Sequence, residues 1–417
     1  MIGLVDGNNF FASCEQVFDP RLRGKPVAVL SNNDGCVVSR SYEFKALNIP
    51  MGTPYFKLRD VAAARGLVLR SSNYALYADL SRRVMSVLAE FAGDVEQYSI
   101  DEAFIRPLTV PEDDYYAFGL KLRRAVLKYV GIPCGIGFAA NKTLAKTANH
   151  IGKKTESGVF VMPEDPSRIL ARVPVSEVWG VGRNLLPALK ESGINTALEL
   201  ARADDAGLRR KFGVNAQRIS LELRGVGCIE REDVYAASKS VSFSRSFGHP
   251  VTALKDIEEA VSYYISRAAE KLRAERLSAA GVNVYLLYYP EYGVFQSPAG
   301  YVSATIPFDY ATDDTAEMLS MTGKKLPSVF LRGRRYKKAG ILFFGLEKSD
   351  SAQPDLFIKR KKSSDTRFFG VVDELNAKYG GGTVFALAEG IEKGWRMRRD
   401  MLSPSYTTDW NGIPSVK

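Results

Sequence analysis

Three acidic residues stand where short apolar strands would end. Asp6 closes the apolar run at 2–5, and much further along, Ser99-Ile100-Asp101-Glu102-Ala103-Phe104 sets two adjacent carboxylates in an otherwise apolar stretch. Carboxylates brought side by side repel and lose hydration, so burying them is costly unless cations neutralise them. Three such groups meeting at strand ends are the hard oxygen donors that two Mg²⁺ ions require. A pair of ions roughly 4 Å apart activates an attacking hydroxyl and stabilises a leaving pyrophosphate. The same residues also read as turns: an Asp-Glu pair on a hairpin tip is common, and Asp6-Gly7-Asn8 would serve as an ordinary strand-ending loop. A regular strand sends Asp101 and Glu102 to opposite faces, so they share a site only if the hairpin turns there.

Other residue classes offer little rival chemistry. His150 and His249 are the only histidines, and neither has neighbours that suggest a triad or a metal site. Cys14, Cys36, Cys134 and Cys228 form no C-x-x-C pair, which argues against zinc and against a disulfide framework. Chemistry must lean on carboxylates and cations. The net charge is +10 and the pI about 9.2, as expected of a protein that grips phosphates. No apolar run reaches the roughly 20 residues that span a bilayer. The opening MIGLVDGNNF lacks a basic segment and carries Asp6, so the expectation is no signal peptide and a cytoplasmic location.

The elements that must position the acids follow from periodicity. A length of 417 residues with 46% hydrophobic content suits roughly two to four domains. Through 1–165, short strands (2–5, 26–31, 37–39, 67–72, a hairpin over 95–105, 134–139, 158–162) alternate with helices at 74–91, 115–129 and 141–151. In the first helix Leu76, Leu80, Val84, Val87 and Phe91 fall on one face. This is an α+β pattern with a mixed or antiparallel sheet. Residues 166–232 read as short helices broken by glycines. Residues 238–347 read as βαββαβ, the ferredoxin-like order of a small sheet backed by two helices. Residues 348–366 are polar, with a Lys/Arg run at 359–362, and read as a linker. Beyond it come a helix at 366–379, a Gly-Gly-Gly turn and a short strand.

With these residues in view, the chain resembles the Y-family of translesion DNA polymerases. Asp6 followed by Asn8-Asn9-Phe10-Phe11-Ala12-Ser13-Cys14-Glu15, and Tyr98-Ser99-Ile100-Asp101-Glu102-Ala103-Phe104, carry the likeness. Leu30-Ser31-Asn32-Asn33-Asp34-Gly35-Cys36-Val37, Ser72-Asn73-Tyr74-Ala75-Leu76-Tyr77-Ala78-Asp79 and Met401-Leu402-Ser403-Pro404-Ser405-Tyr406-Thr407-Thr408 narrow it to the catalytic subunits of bacterial DNA polymerase V. The resemblance runs over essentially the whole chain and implies a right-hand polymerase. Its palm would be 1–20 and 75–165, its fingers 21–74, its helix-hairpin-helix thumb 166–232 and its little finger 238–347, with a tail at 348–417.

By the family pattern, Asp6, Asp101 and Glu102 hold two Mg²⁺ ions with help from the carbonyl of Gly7, where relatives often carry a bulkier residue. Phe10 and Phe11 line the dNTP site. Phe11 stands at the position whose ring excludes a 2′-hydroxyl by clash. Tyr42 and Lys45 match triphosphate contacts, with Ser39 a further donor. Lys153, or its neighbour Lys154, matches the cation that neutralises the leaving pyrophosphate. Cys36 and Val38 would roof the nascent base pair. For each lysine, a solvated surface charge is the competing reading.

Grip on primer-template DNA is expected from two places. Trp179-Gly180-Val181-Gly182-Arg183 before an apolar helix reads as a helix-hairpin-helix, whose glycines let backbone N–H groups approach a phosphate. Arg245, Arg332, Arg334, Arg335, Lys337 and Lys338 lie near strand starts and would contact phosphates. Gln353-Pro354-Asp355-Leu356-Phe357 resembles the peptide with which bacterial polymerases dock on the sliding clamp, through Gln353, Leu356 and Phe357. The resemblance further implies a UmuD′ dimer and RecA as partners, and error-prone synthesis in the SOS response. Two alternatives stand beside it: a polymerase of the DNA polymerase IV kind working without UmuD′, and a non-catalytic DNA-binding relative.

Overall fold

Alternation along three adjacent strands sorts the first two hydrophobic layers. In β1 (Ile2–Gly7) Val5 faces one way and Leu4 the other. The same split separates Ile105 from Phe104 in β6 (Glu102–Pro107), and Phe138 from Ala139 in β7 (Cys134–Ala139). A strand with period two, buried on both faces, needs helices on both sides, and the chain supplies them. The computed structural model describes residues 1–62, 64–229, 239–290, 300–349 and 364–412. The chain divides into two units: Met1–Ser31, Gly35–Asp233 and Met401–Lys417 form the first, and Asn32–Asp34 with Val234–Asp400 the second.

In the first unit β1 leads into α1 (Phe10–Phe18). Then β2 (Val27–Leu30), β3 (Val37–Arg40), α2 (Tyr42–Ala46), α3 (Tyr55–Ala62) and β4 (Val68–Ser71) build a small sheet in the order β3-β2-β4. Next come α4 (Tyr74–Ala92), β5 (Gly93–Gln97), β6, α5 (Tyr115–Val130), β7, α6 (Lys142–Gly152) and β8 (Val159–Val161). The larger sheet runs β5-β6-β1-β7-β8, antiparallel except for β7 with β8. The mixed sheet agrees with the sequence reading, whereas α1, α2 and α3 are additional to it. Asn73 starts α4 by accepting from Leu76 N, and the expected apolar stripe packs under the sheet with Leu88 and Ala92 added.

On the opposite face α6, capped by Asn141, lies tightly on β7. Gly137 makes this approach possible, because a Cβ there would lie 2.0 Å from Asn149 N. Five short helices follow: α7 (Ser167–Leu170), α8 (Leu185–Glu191), α9 (Ala197–Arg202), α10 (Asp205–Phe212) and α11 (Val214–Leu223). Thr196 and Glu199 close α9 with a reciprocal capping box.

The second unit has the expected order: β9 (Val241–Val251), α12 (Leu254–Ala274), β10 (Leu277–Tyr288), β11 (Gly300–Thr312), α13 (Thr315–Val329) and β12 (Tyr336–Lys348). Its sheet is β11-β10-β12-β9 with all neighbours antiparallel, so each crossover helix joins strands with one strand between them. One long helix, α14 (Ser364–Tyr379), follows. The glycine turn at 380–382 is present, but the short strand expected after it is not. Residues 383–400 are irregular apart from a 3₁₀ turn at Leu387–Glu389. Gly380, Gly382 and Gly390 sit at positive φ there, which bends the chain too often for a ladder. Gln353, Leu356 and Phe357 lie outside the described residues. Among the described residues no helix is long and apolar enough to cross a membrane.

Gly137→Ala is expected to destabilise the first unit by about 3 kcal/mol, since its methyl meets helix backbone rather than a movable side chain. A lower denaturant midpoint at unchanged slope is the outcome that checks it; an unchanged midpoint refutes the close approach.

Candidate active site

Strand register delivers the central pair of acids. Asp6 of β1 lies directly opposite Glu102 of β6 in the same antiparallel ladder as Leu4 and Phe104. Both side chains therefore face the side covered by α6. From that side, Lys153 Nζ reaches Asp6 Oδ2 at 2.6 Å and Lys146 Nζ reaches Glu102 Oε2 at 2.8 Å. Burial pushes the Asp6 carboxyl up from 3.8 to about 6, against the pull of Lys153, and the adjacent Glu102 raises it further. Asp6 thus sits where negative charge is poorly solvated and positive charge is in demand.

Asp101 behaves as the period-two argument requires. It precedes β6 in the turn at 98–101, where Ser99 Oγ donates to Asp101 Oδ1 at 2.7 Å and accepts from the backbone N–H groups of Asp101 and Glu102. The Asp101 carbonyl accepts from Gly7 N at 2.8 Å, which joins the turn to the end of β1. Among the described residues, no three His, Cys, Asp or Glu side chains converge as a metal-binding group. The arrangement as it stands is two facing carboxylates with a lysine each, and a third carboxylate at the strand end held by Ser99. A side chain at position 7 would meet the Phe10 ring at 2.8 Å. The glycine is thus fitted to this Phe10, and the bulkier residue common in relatives would require the ring to move.

Next to the acids, α1 presents Phe11. Its ring stacks on Tyr77 at 4.4 Å and 13° and meets Tyr74 edge-on at 6.2 Å. Ser39 Oγ is committed to backbone, accepting from Ala12 N and donating to the Asn9 carbonyl, so it fixes the start of α1 against β3. Tyr42 is exposed, with Lys45 Nζ 5.5 Å from its ring centre. The Lys45 ammonium is held below its usual range by burial, with repulsion from Arg40 and Lys153 adding to it and Asp6 opposing. These cations therefore share one field beside Asp6. Cys36 contacts Ser31 Oγ, and Val38 packs, half-buried, against the core under the large sheet. Lys153 is the lysine turned to Asp6; Lys154 Nζ lies 4.0 Å from Glu177, which also pairs with His150.

Two family models describe most of this chain. The impB/mucB/samB family matches residues 5–150 and the impB/mucB/samB family C-terminal domain matches 238–356, while a domain of unknown function (DUF4113) matches 366–416. Protein UmuC of Salmonella typhimurium is 40% identical over 424 residues, covering 100% of both chains. Protein ImpB of Salmonella typhimurium is 42% identical with the same coverage. The chain belongs to the UmuC-like Y-family polymerases. A DNA polymerase IV of Bacillus velezensis is 27% identical over 95% of this chain and 96% of that protein. In fold, it is similar to a Y-family DNA polymerase chimera of Dbh and Dpo4, with TM-score 0.64 at 22% identity over 83% of this chain and 99% of that one. An insertion ternary complex of Dbh DNA polymerase gives TM-score 0.55 at 22% identity, covering 82% and 98%.

In this Y-family chain the 179–183 segment is preceded by a 3₁₀ turn at Val175–Glu177 rather than a full helix. Gly180 has φ +91 and Gly182 has open space around it, with Arg183 exposed. Trp179 packs edge-on against Tyr98 and contacts Lys146, so this turn is tied to the acidic motif. In the second unit Arg245 lies over Phe243, Arg334 over Tyr288, and Arg332 is exposed.

Sequence reasoning missed Lys146, Arg40 and Tyr77. A signal existed for the first: Lys142, Lys146, Asn149 and Lys153 fall at helical spacing, a polar stripe on the face of α6 that meets the sheet. Arg40 stands two residues from Val38, on the same side of β3.

Asp6→Asn is expected to stabilise the protein at pH 7.5 by about 1–3 kcal/mol. The wild-type carboxyl binds its proton more tightly folded than unfolded, so its favourable contribution is full below pH 3.8 and lost as pH rises through about 6. The mutant's advantage in thermal midpoint must therefore shrink as pH falls through that window. A pH-independent difference would contradict the burial argument.

Proposed function

We propose that this chain performs template-directed DNA synthesis past damaged bases: a primer 3′-hydroxyl attacks the α-phosphate of a dNTP and pyrophosphate leaves. The observation that carries the reading is Asp6 opposite Glu102, with Lys153 2.6 Å from Asp6. The large sheet with α4, α5 and α6 is the palm, the small sheet the fingers, 166–232 the thumb and 238–347 the little finger. The 179–183 turn and Arg245, Arg332 and Arg334 grip primer-template phosphates, and 353–357 docks on a sliding clamp.

The donors at the centre are all carboxylates, which suits hard divalent cations, and the raised Asp6 carboxyl indicates a place short of positive charge. Asp6, Asp101, Glu102 and the Gly7 carbonyl would hold two Mg²⁺ ions once Lys153 turns aside from Asp6 and Lys146 gives up its hold on Glu102. When bound, the pair lowers the pKa of the primer hydroxyl and offsets charge on the leaving pyrophosphate. Lys153, released from Asp6, then meets phosphate oxygens. Tyr42, Lys45 and Arg40 hold the triphosphate, and the Phe11 ring leaves no room for a 2′-hydroxyl. Cys36 and Val38 are small enough to leave space above a distorted base. Low fidelity, a UmuD′ dimer and RecA as partners, and a place in the SOS response follow from the UmuC-like reading. Identity of 40% end to end to UmuC against 27% to a DNA polymerase IV favours it over a polymerase working without UmuD′.

Primer extension with Mg²⁺, UmuD′ and RecA is the test. Wild type is expected to extend and Asp101→Ala to show none. Lys153→Ala should lose about 100-fold in kcat with a smaller change in KM. Absence of extension by the wild type would favour a DNA-binding module instead.

A further inference from the structure

The segment after Asp400 does more than trail from the second unit, because residues 401–412 pack within the first. Ser71 N donates to the Met401 carbonyl at 3.0 Å, and Met401 N donates to Ser71 Oγ at 3.0 Å, which pins the segment to the end of β4. Five residues on, the Tyr406 ring stacks on Phe18 at 5.2 Å and 12°, at the last residue of α1. Between these two anchors lies Ser403, 4% exposed. Its hydroxyl donates to Glu15 Oε1 at 3.1 Å and accepts from Asn73 Nδ2 at 3.0 Å. Asn73 is also the cap of α4, so one side chain ties this segment to the start of the helix that carries Tyr74 and Tyr77.

Glu15 is the hinge of the arrangement. It is 1% exposed and lies one turn beyond Phe11 on α1. No ion pair holds it among the described residues. Its Oε1 instead accepts two hydroxyls, those of Ser403 and of Tyr77, the latter at 2.8 Å. A buried carboxylate depends on every donor it has. Burial drives the Tyr77 phenol far above its usual range, so it stays a donor at any working pH. The Tyr77 ring, wholly buried, lies flat against Phe11. A continuous path thus runs from Ser403 through Glu15 and Tyr77 to the Phe11 ring.

We infer that residues 401–406, through Ser403, position the Phe11 ring, and so help determine whether a deoxyribose or a ribose is accepted. Ser403, Glu15 and Tyr77 are positioning residues, since none need touch the nucleotide. The inference rests on Phe11 meeting the sugar of a bound dNTP. Exclusion by clash is steep in distance: a displacement of well under 1 Å removes much of a steric barrier, as small misplacements do in other tightly fitted sites. Losing the Ser403 hydroxyl leaves Glu15 with Tyr77 as its remaining side-chain donor, and the stack is free to shift with it. A segment that served only to hold the protein together would lower the use of both sugars in equal measure.

The experiment measures kcat/KM for a dNTP and for the matching rNTP on undamaged primer-template. It uses the full chain with UmuD′ and RecA, in wild type, Ser403→Ala, Ser403→Thr, Tyr77→Phe and Phe11→Ala, with thermal midpoints taken alongside. The expected result is a fall in sugar discrimination on the order of tenfold for Ser403→Ala and Tyr77→Phe, near-wild-type discrimination for Ser403→Thr, and a larger fall for Phe11→Ala. Equal losses with both sugars in Ser403→Ala, alongside an opened Phe11→Ala, overturn the inference and leave the sugar-gate reading intact. Unchanged discrimination in Phe11→Ala overturns both. No dNTP extension by wild type overturns the polymerase reading beneath them.

Discussion

The structure is organised around repulsion between two carboxylates on neighbouring strands. Placing Asp6 directly opposite Glu102 puts like charges across a ladder, an arrangement that destabilises an ordinary sheet. This sheet tolerates it because α6 lies close on that face and brings lysines to both acids. The close approach in turn depends on Gly137, where no side chain intrudes. A glycine in β7, a polar stripe on α6 and the acids of β1 and β6 are thus one device: they concentrate negative charge where a divalent cation is the natural counter-ion.

The aromatic wall beside that device has its own support. Phe11 is held by a stack on Tyr77, and Tyr77 by the buried carboxylate of Glu15. Ser39 fastens the beginning of α1 to β3. The helix that carries Phe11 is therefore fixed at its start by the small sheet, in its middle by α4, and at its end by the Phe18–Tyr406 stack. Rigid placement of the ring is what the proposed discrimination by shape requires.

Much of this was legible in the sequence, for reasons that can be named. Strong periodicity gave α4 and its stripe, and the uninterrupted apolar run gave β7 with the ends observed. The βαββαβ order of the second unit was readable because its helices are long and its strands well separated. The helix α1 was not, since its residues read as a motif and its apolar positions are nearly continuous rather than periodic. The short α2 and α3 lack the length that makes a helical pattern stand out. At the site, sequence could single out three acids as candidates but not fix their relation. Register decides that Asp6 faces Glu102 and that Asp101 stands apart at the turn. Which of two adjacent lysines meets Asp6 depends on where α6 ends, a boundary that local pattern fixes poorly.

The contact between Ser403 and Glu15 joins residues 388 positions apart. At the pace of protein synthesis, roughly 5–20 residues per second, that separation corresponds to roughly 20–80 s of translation. During that interval α1 and α4 can pack, yet the glutamate between them lacks one of the two hydroxyls it has in the finished fold. A nascent chain therefore contains its sheet, its acids and Phe11 well before Ser403 is available to brace the ring. The last side chain to join this hydrogen-bonded set is thus Ser403, supplied by a segment far along the chain.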